Sequence, residues 1–105
     1  MDDKELLELA AKAAGKEHEF WSDGFVQGGG AGELWNPLTD DGDALRLAVK
    51  LKLDINCWSQ SKEVGACRFE GGIKFRFTER TDDDPYAATR RAIVRTAAAI
   101  GEEMK

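Results

Sequence analysis

Apolar residues near the N-terminus recur at the spacing of an amphipathic helix. The members of this stripe are Leu6, Leu9, Ala10, Ala13 and Ala14. Acidic residues precede the stripe, where the helix dipole favours negative charge, and a glycine follows it. The pattern therefore predicts a first helix that ends at Gly15.

Two further helices follow from the same spacing. Thr39 or Asp40 is the expected N-cap of the second helix. Its apolar face comprises Ala44, Leu47, Ala48 and Leu51. The third helix begins at Pro85 after the N-cap Asp84, because proline suits the first helical position. Its apolar stripe is Tyr86, Thr89, Ile93, Ala97, Ile100 and Met104.

Alternation of apolar and polar residues predicts three consecutive strands before the last helix. They span about residues 53–59, 64–70 and 73–79. In the third strand, Ile73, Phe75 and Phe77 alternate with polar residues, which is typical of an antiparallel strand that is buried on one face.

The loop between the last two strands sets their register. A three-residue loop with a glycine bulge pairs Phe69 with Ile73 and Cys67 with Phe75, which keeps apolar residues together. A two-residue turn would instead place an arginine on the core face. The same reasoning on the preceding hairpin predicts that Cys57 lies opposite Cys67 and that both are buried. We interpret them as reduced core residues in preference to a redox pair.

Residues 18–35 contain two short apolar segments, 19–21 and 33–35, around a glycine-rich stretch. We interpret residues 24–32 as the mobile loop of a loose hairpin. A phosphate-binding loop is the alternative, but no Lys-Ser or Lys-Thr pair follows the glycines and no helix begins directly after them.

The resulting order is helix, two short strands, helix, three strands and helix. A chain of 105 residues suits one domain. We therefore expect a single α+β domain in which an antiparallel sheet packs with about three helices. The helices cover one face of the sheet or enclose it on both sides.

The charge of the chain bears on its partners. It carries 15 Lys and Arg against 20 Asp and Glu, for a formal net charge of −5. An acidic chain is repelled by phosphate backbones, so no direct nucleic-acid binding is expected. The best basic cluster is Arg90, Arg91 and Arg95, with Lys74 and Arg76 as a second group. We interpret the first cluster as a solvated helix face in preference to a binding patch.

Two aspartate clusters form the candidate binding surface, since acidic surfaces suit basic protein partners. Tryptophans are enriched at binding hot spots, so we include two tryptophans among the candidate contact residues. The alternative is that both fill the core. The candidate binding residues are Asp40, Asp41, Asp43, Asp82, Asp83, Asp84, Trp21 and Trp35. Helix capping is the competing explanation for the aspartates.

The chain offers little for catalysis. His18 is its only histidine, and no serine lies in a nucleophile elbow. Calcium loops need more ligands at longer spacing than the aspartate clusters provide, and zinc sites need more Cys and His. We predict no catalytic residue, no metal and no cofactor. No apolar run is long enough for a membrane span, and the N-terminus lacks the pattern of a signal peptide, so a cytoplasmic protein is expected.

Two stretches resemble small proteins of tailed bacteriophages. The first reads Leu34-Trp35-Asn36-Pro37-Leu38-Thr39-Asp40-Asp41-Gly42-Asp43-Ala44, and the second reads Asp83-Asp84-Pro85-Tyr86-Ala87-Ala88-Thr89-Arg90-Arg91-Ala92-Ile93. They are similar to the openings of two helices in the phage alpha-beta-alpha sandwich domain family. The resemblance covers about the last two-thirds of the chain and carries over no catalytic residue.

The resemblance implies a phage accessory protein that acts in the host bacterial cytoplasm. With the acidic composition, it predicts a non-enzymatic module that binds a host protein with a basic surface and inhibits a defence or nucleic-acid-binding complex. The alternatives are a self-associating protein, for example a homodimer joined through a sheet edge or the last helix, and a small enzyme that uses His18.

Overall fold

The computed structural model describes residues 2–15, 18–21, 24–27, 34–58, 60–69, 73–81 and 83–103. The helices are α1 (Asp3–Ala14), α2 (Asp41–Leu51) and α3 (Pro85–Glu103). The strands are β1 (His18–Trp21), β2 (Gly24–Gln27), β3 (Leu34–Trp35), β4 (Asp54–Trp58), β5 (Glu63–Phe69) and β6 (Ile73–Arg80). They form two antiparallel three-stranded sheets, β1–β2–β3 and β4–β5–β6. The prediction of an α+β domain is confirmed.

The ends of α1 follow from local chemistry. The Asp2 carboxylate accepts a hydrogen bond from the Glu5 backbone N–H at 2.8 Å, which satisfies a donor that has no partner inside the helix. Gly15 has a φ of 71°, a conformation that costs glycine little, and its N–H returns to the carbonyls of Ala11 and Lys12. The predicted end of the helix is confirmed.

Helix α3 lies at the centre of the packing, with β5 and β6 on one side and α1 and α2 on the other. Helices α1 and α3 approach so closely at one point that a Cβ on Gly101 would lie 2.0 Å from the Leu9 carbonyl oxygen. Small buried residues line both helices near this contact, among them Ala10, Ala14 and Ala97. The core is therefore a tight helix layer built mainly on alanine.

The buried face of α1 differs from its predicted stripe. Leu7 and Ala11 are buried, whereas Leu9 and Ala13 are only half-buried. The reason is that α1 contacts α2 as well as α3, so its buried face is centred elsewhere than on the strict apolar spacing.

The register of the β4–β5–β6 sheet corrects the cysteine prediction. Phe69 pairs with Ile73 as predicted, but an irregularity between Arg68 and Phe69 shifts every later pair by one residue. Cys67 therefore lies opposite Arg76 instead of Phe75.

The two cysteines are not cross-strand neighbours. Cys57 pairs with Val64 and Cys67 with Asp54, so side-chain alternation puts the two thiols on opposite faces. Cys57 is exposed and Cys67 is buried, and both are free thiols. The prediction that both are buried is wrong for Cys57.

Helix α3 covers one face of this sheet. The Thr96 hydroxyl is fully buried and lies 3.1 Å from the Ala66 carbonyl oxygen and 2.9 Å from that of Ala92. On the opposite face, Asn56 and Thr78 are exposed, so the described helices lie on one side of the sheet and do not enclose it.

The outward face of the sheet carries Trp58. Its ring lies directly above Gly65, where an added Cβ would be 2.9 Å from the ring. The Arg76 guanidinium carbon lies 5.2 Å from the ring centre. Trp58 therefore faces away from α3, as alternation predicts, and is half-buried.

The region before α2 contains one strand more than predicted. Gly24–Gln27 forms β2, which pairs with both β1 and β3. The sequence predicts a glycine-rich loop for these residues because the apolar pair after Gly24 is short and stands between glycines. The remainder of that predicted loop, residues 28–32, lies outside the described residues.

Candidate functional site

The turn before α2 is held by its own polar side chains. The Asn36 side-chain oxygen accepts the Leu38 N–H at 3.0 Å, and the Asn36 backbone oxygen accepts the Asp40 N–H at 2.9 Å. The Asp40 carboxylate caps α2 by accepting the Asp43 N–H at 2.8 Å. Asp43 is buried, and its carboxylate accepts the Asn36 N–H at 3.0 Å. The Asn-Pro-Leu-Thr-Asp motif is therefore a capped turn.

Arg90 joins this turn to α3. Its Nε donates to the Leu38 carbonyl oxygen at 2.8 Å, and its Nη1 donates to the Asp41 carboxylate at 2.6 Å. The Arg90 side chain is only 17% exposed, whereas that of Asp41 is 67% exposed. The two stretches that carry the phage resemblance thus contact each other at Arg90.

The predicted basic cluster is distributed over three ion pairs. Arg90 pairs with Asp41, Arg91 pairs with Asp3 at 3.1 Å, and Arg95 pairs with Glu79. Arg95 also lies 4.8 Å from the centre of the Phe77 ring. The cluster is therefore a set of links between α3 and its neighbours, instead of a free solvated face.

A groove opens beside Arg90, where the first turns of α2 and α3 diverge above β4. Its volume is about 400 Å³. Its walls are mainly apolar, and the Asp41–Arg90 ion pair closes one side. The lining residues are Asp41, Ala44, Leu45, Ile55, Tyr86, Thr89, Arg90 and Ile93. We call this feature the α2–α3 groove.

Large apolar side chains are exposed around the groove. Tyr86 and Leu45 line it and are 68% and 60% exposed, and Val49 lies one turn further along α2 and is 69% exposed. These are the large hydrophobic residues that stand out on the surface of the described residues. A cluster of this kind marks a site of interaction more often than scattered single residues do.

The predicted aspartates fall into different environments. Asp40, Asp41 and Asp43 all lie at the start of α2 and take part in the contacts above. Asp84 caps α3 by accepting the backbone N–H groups of Tyr86 at 3.0 Å and Ala87 at 3.1 Å.

Asp83 is exposed, and Asp82 lies outside the described residues. Asp41 lines the groove, and the other exposed aspartates of the two clusters precede the first turns of α2 and α3, so we group them as an acidic rim. We define this rim as Asp40, Asp41, Asp83 and Asp84.

Trp35 does not lie at the surface, as a contact residue would. Trp35 is 2% exposed and is among the largest fully buried side chains, so it fills the core, which was the alternative to a surface role. The side chain of Trp21 lies outside the described residues.

Tyr86 was missed because the third apolar stripe placed it on the core face. It lies in the first turn of α3 and is 68% exposed. Leu45 and Val49 were missed although a signal was present. They are apolar residues four positions apart on the otherwise polar side of α2.

Among the described residues, no three His, Cys, Asp or Glu side chains are placed to share a metal ion. No helix within the described ranges combines the length and the apolar character needed to cross a membrane.

Comparison of the chain with protein-family models, with curated proteins and with solved structures finds no match in any of the three.

Proposed function

We propose that this chain is a non-enzymatic protein-binding module whose contact surface is the α2–α3 groove with its acidic rim. The observation that carries the proposal is the open apolar groove flanked by exposed Tyr86 and Leu45. Exposed apolar surface rimmed by polar residues is characteristic of interaction sites. Tyrosine, in addition, is enriched among the residues that dominate binding energy.

The charge of the rim suits a basic partner. Asp40 and Asp41 are 58% and 67% exposed, and Asp83 and Asp84 are also exposed at the start of α3. The nearby arginines, Arg46 and Arg90, are fewer than the aspartates and are already paired with them. The partner segment would therefore place one or two apolar side chains in the groove and Lys or Arg against the rim.

The sequence resemblance gives this proposal its biological setting. A phage accessory protein of this kind would act in the host bacterial cytoplasm. There it would inhibit a defence or nucleic-acid-binding complex by occupying a basic surface of one of its proteins. The charge of the chain and the rim support this partner, and the carboxylates placed in caps and ion pairs support a role without catalysis.

A site-specific crosslink tests the proposal. A photo-reactive amino acid replaces Tyr86 in the groove or, as the control, Glu8, which is exposed on α1 away from the groove. In bacterial lysate at low salt, the position-86 probe should capture one nuclease-resistant protein partner at a segment rich in Lys, Arg and apolar residues. Position 8 should not capture it.

Variants then connect the capture to the groove. Tyr86→Ala should lower the yield of the complex by about tenfold or more, as expected for an aromatic hot spot, and Tyr86→Phe should preserve it. Asp83→Lys should weaken the complex most at low salt. A partner that binds the Tyr86→Ala protein as well as the wild type, or the absence of any stoichiometric partner, would contradict the proposal.

A further inference from the structure

We propose that the chain also forms a homodimer through the outward face of α2, packed antiparallel against the same helix of a second copy. This inference does not rest on the proposed function, but Asp41 and Leu45 also line the α2–α3 groove, so a dimer and a groove-bound partner would exclude each other. It rests on a row of four residues that share one side of α2: Asp41, Leu45, Val49 and Lys52. We call this row the α2 stripe.

The spacing puts the four residues in line. Asp41, Leu45 and Val49 stand at positions i, i+4 and i+8, which at about 100° per residue span about 80° of the helix circumference, and Lys52 is the C-cap residue at the end of the helix, with a φ of 56°. Leu45 and Val49 are 60% and 69% exposed, and Asp41 and Lys52 are exposed at the two ends. The buried residues Ala44, Leu47, Ala48 and Leu51 lie on the adjoining side of α2, centred about 100° round the helix from the stripe. Leu45 and Val49 thus extend the apolar surface of α2 beyond its buried side, and both stay largely exposed among the described residues.

The charges of the stripe identify the occupant. The stripe is acidic at the N-terminal end of α2 and basic at its C-terminal cap. An antiparallel second copy brings Asp41 against Lys52 of the partner subunit at both ends. A parallel arrangement would instead oppose like charges, which is unfavourable.

A single two-fold axis satisfies both kinds of contact. In an antiparallel helix pair, facing residues have position numbers with a constant sum. That sum is 94 for Leu45 with Val49, and 93 for Asp41 with Lys52. The difference of one residue corresponds to about 1.5 Å along the helix, which a lysine side chain accommodates easily. The same patch on both copies is self-complementary, as a two-fold interface requires.

The expected dimer is weak. Helix α2 has 11 residues, so two such helices bury less area than the roughly 1,600 Å² of a standard interface. Sedimentation equilibrium of the intact protein should show a monomer of 11.6 kDa at low concentration and a rising dimer fraction toward roughly 1 mM. Added salt should weaken the dimer because its end contacts are ion pairs.

Three variants test the geometry. Val49→Lys, at an exposed position that does not line the α2–α3 groove, should remove the dimer. Lys52→Glu should raise the dissociation constant about fivefold or more at low salt, because two attractions become two repulsions. Lys50→Glu is the matched control. It reverses the same charge in the same last turn, but lies about 140° round the helix from Leu45.

The outcomes are distinct. A sample that stays monomeric at roughly 1 mM would overturn the inference. So would a dimer that Val49→Lys leaves intact, or equal effects of Lys50→Glu and Lys52→Glu. Circular dichroism establishes that each variant is folded. Since the Tyr86 crosslink does not depend on Val49 or Lys52, failure of the dimer and failure of the proposed function are separable.

Discussion

The close approach of α1 and α3 at Gly101 leads to a specific prediction for Gly101→Ala. The added Cβ would lie 2.0 Å from the Leu9 carbonyl oxygen and 2.8 Å from its carbonyl carbon. Ordinary C–H···O contacts have a carbon–oxygen distance of about 3.3 Å or more, so α1 and α3 must separate by about 1 Å. The obstructing atoms belong to the backbone, and no rotamer change can relieve the overlap.

The magnitude follows from two opposing effects. Overpacking a well-packed core costs about 1–3 kcal/mol and occasionally more, and a backbone overlap belongs at the upper end. Replacing glycine by alanine within a helix returns up to about 1 kcal/mol. We therefore expect the free energy of unfolding to fall by about 2–3 kcal/mol. For a domain of this size, the midpoint temperature should fall by about 10 °C or more.

Urea and thermal unfolding followed by circular dichroism provide the measurement. Gly42→Ala is the matched control within another helix, because the nearest atoms to its Cβ, at 3.2 Å, belong to the Arg46 and Asp40 side chains and not to backbone. It should be neutral or slightly stabilising. Gly15→Ala has open space around it but a φ of 71°, and should cost about 1 kcal/mol. A Gly101→Ala protein as stable as the wild type would refute the inferred approach of α1 and α3.

Three further predictions concern single groups. Asp43→Asn should lower the free energy of unfolding by about 1–3 kcal/mol in urea titrations. The two oxygens of the buried carboxylate accept from the Asn36 N–H and from an arginine, and an amide has only one acceptor oxygen. Asp83→Asn is the control at an exposed position. Thr96→Val should lower the free energy of unfolding by about 1 kcal/mol, as measured by thermal unfolding, because it removes a buried hydroxyl donor at nearly constant volume. An unchanged stability would show that the hydrogen bond of Thr96 contributes nothing. A thiol reagent should label Cys57 rapidly and Cys67 only on unfolding, as followed by mass spectrometry; equal rates would contradict the difference in burial between the two thiols.

The contacts of Arg90 give a structural explanation for the two sequence stretches on which the phage resemblance rests. The first stretch builds a capped turn, and the second supplies the arginine that binds the Leu38 carbonyl of that turn and the Asp41 carboxylate. Their occurrence together in one chain has a structural reason, since each completes the hydrogen bonds of the other. These motifs therefore describe how α2 and α3 are joined, and the groove beside the junction is where the function is proposed.

The same contacts explain why the acidic clusters were hard to interpret from the sequence. The capping explanation and the binding explanation are both consistent with an aspartate before a helix. Asp43 is buried and serves the fold, whereas Asp83 is exposed and available to a partner. Burial separates the two roles, and burial depends on residues far away in the chain.

The sequence by itself determined the features that depend on neighbours within a few positions. The helix ends at Gly15, Asp40 and Asp84 follow from local caps, because cap hydrogen bonds lie within one turn. The three helices and the strands β4 to β6 follow from the spacing of apolar residues, which repeats over a few positions. The groove itself, by contrast, follows from no local signal, since its walls come from three separate elements.

Only the tertiary structure decided the register at Cys67, the burial of Trp35 and the exposure of Tyr86. A single irregularity in β5 moves every later cross-strand pair, and a residue on an apolar stripe is buried only where another element reaches it. These outcomes depend on contacts between residues that are distant in the chain. Local propensity and spacing carry no information about which distant surface will be present.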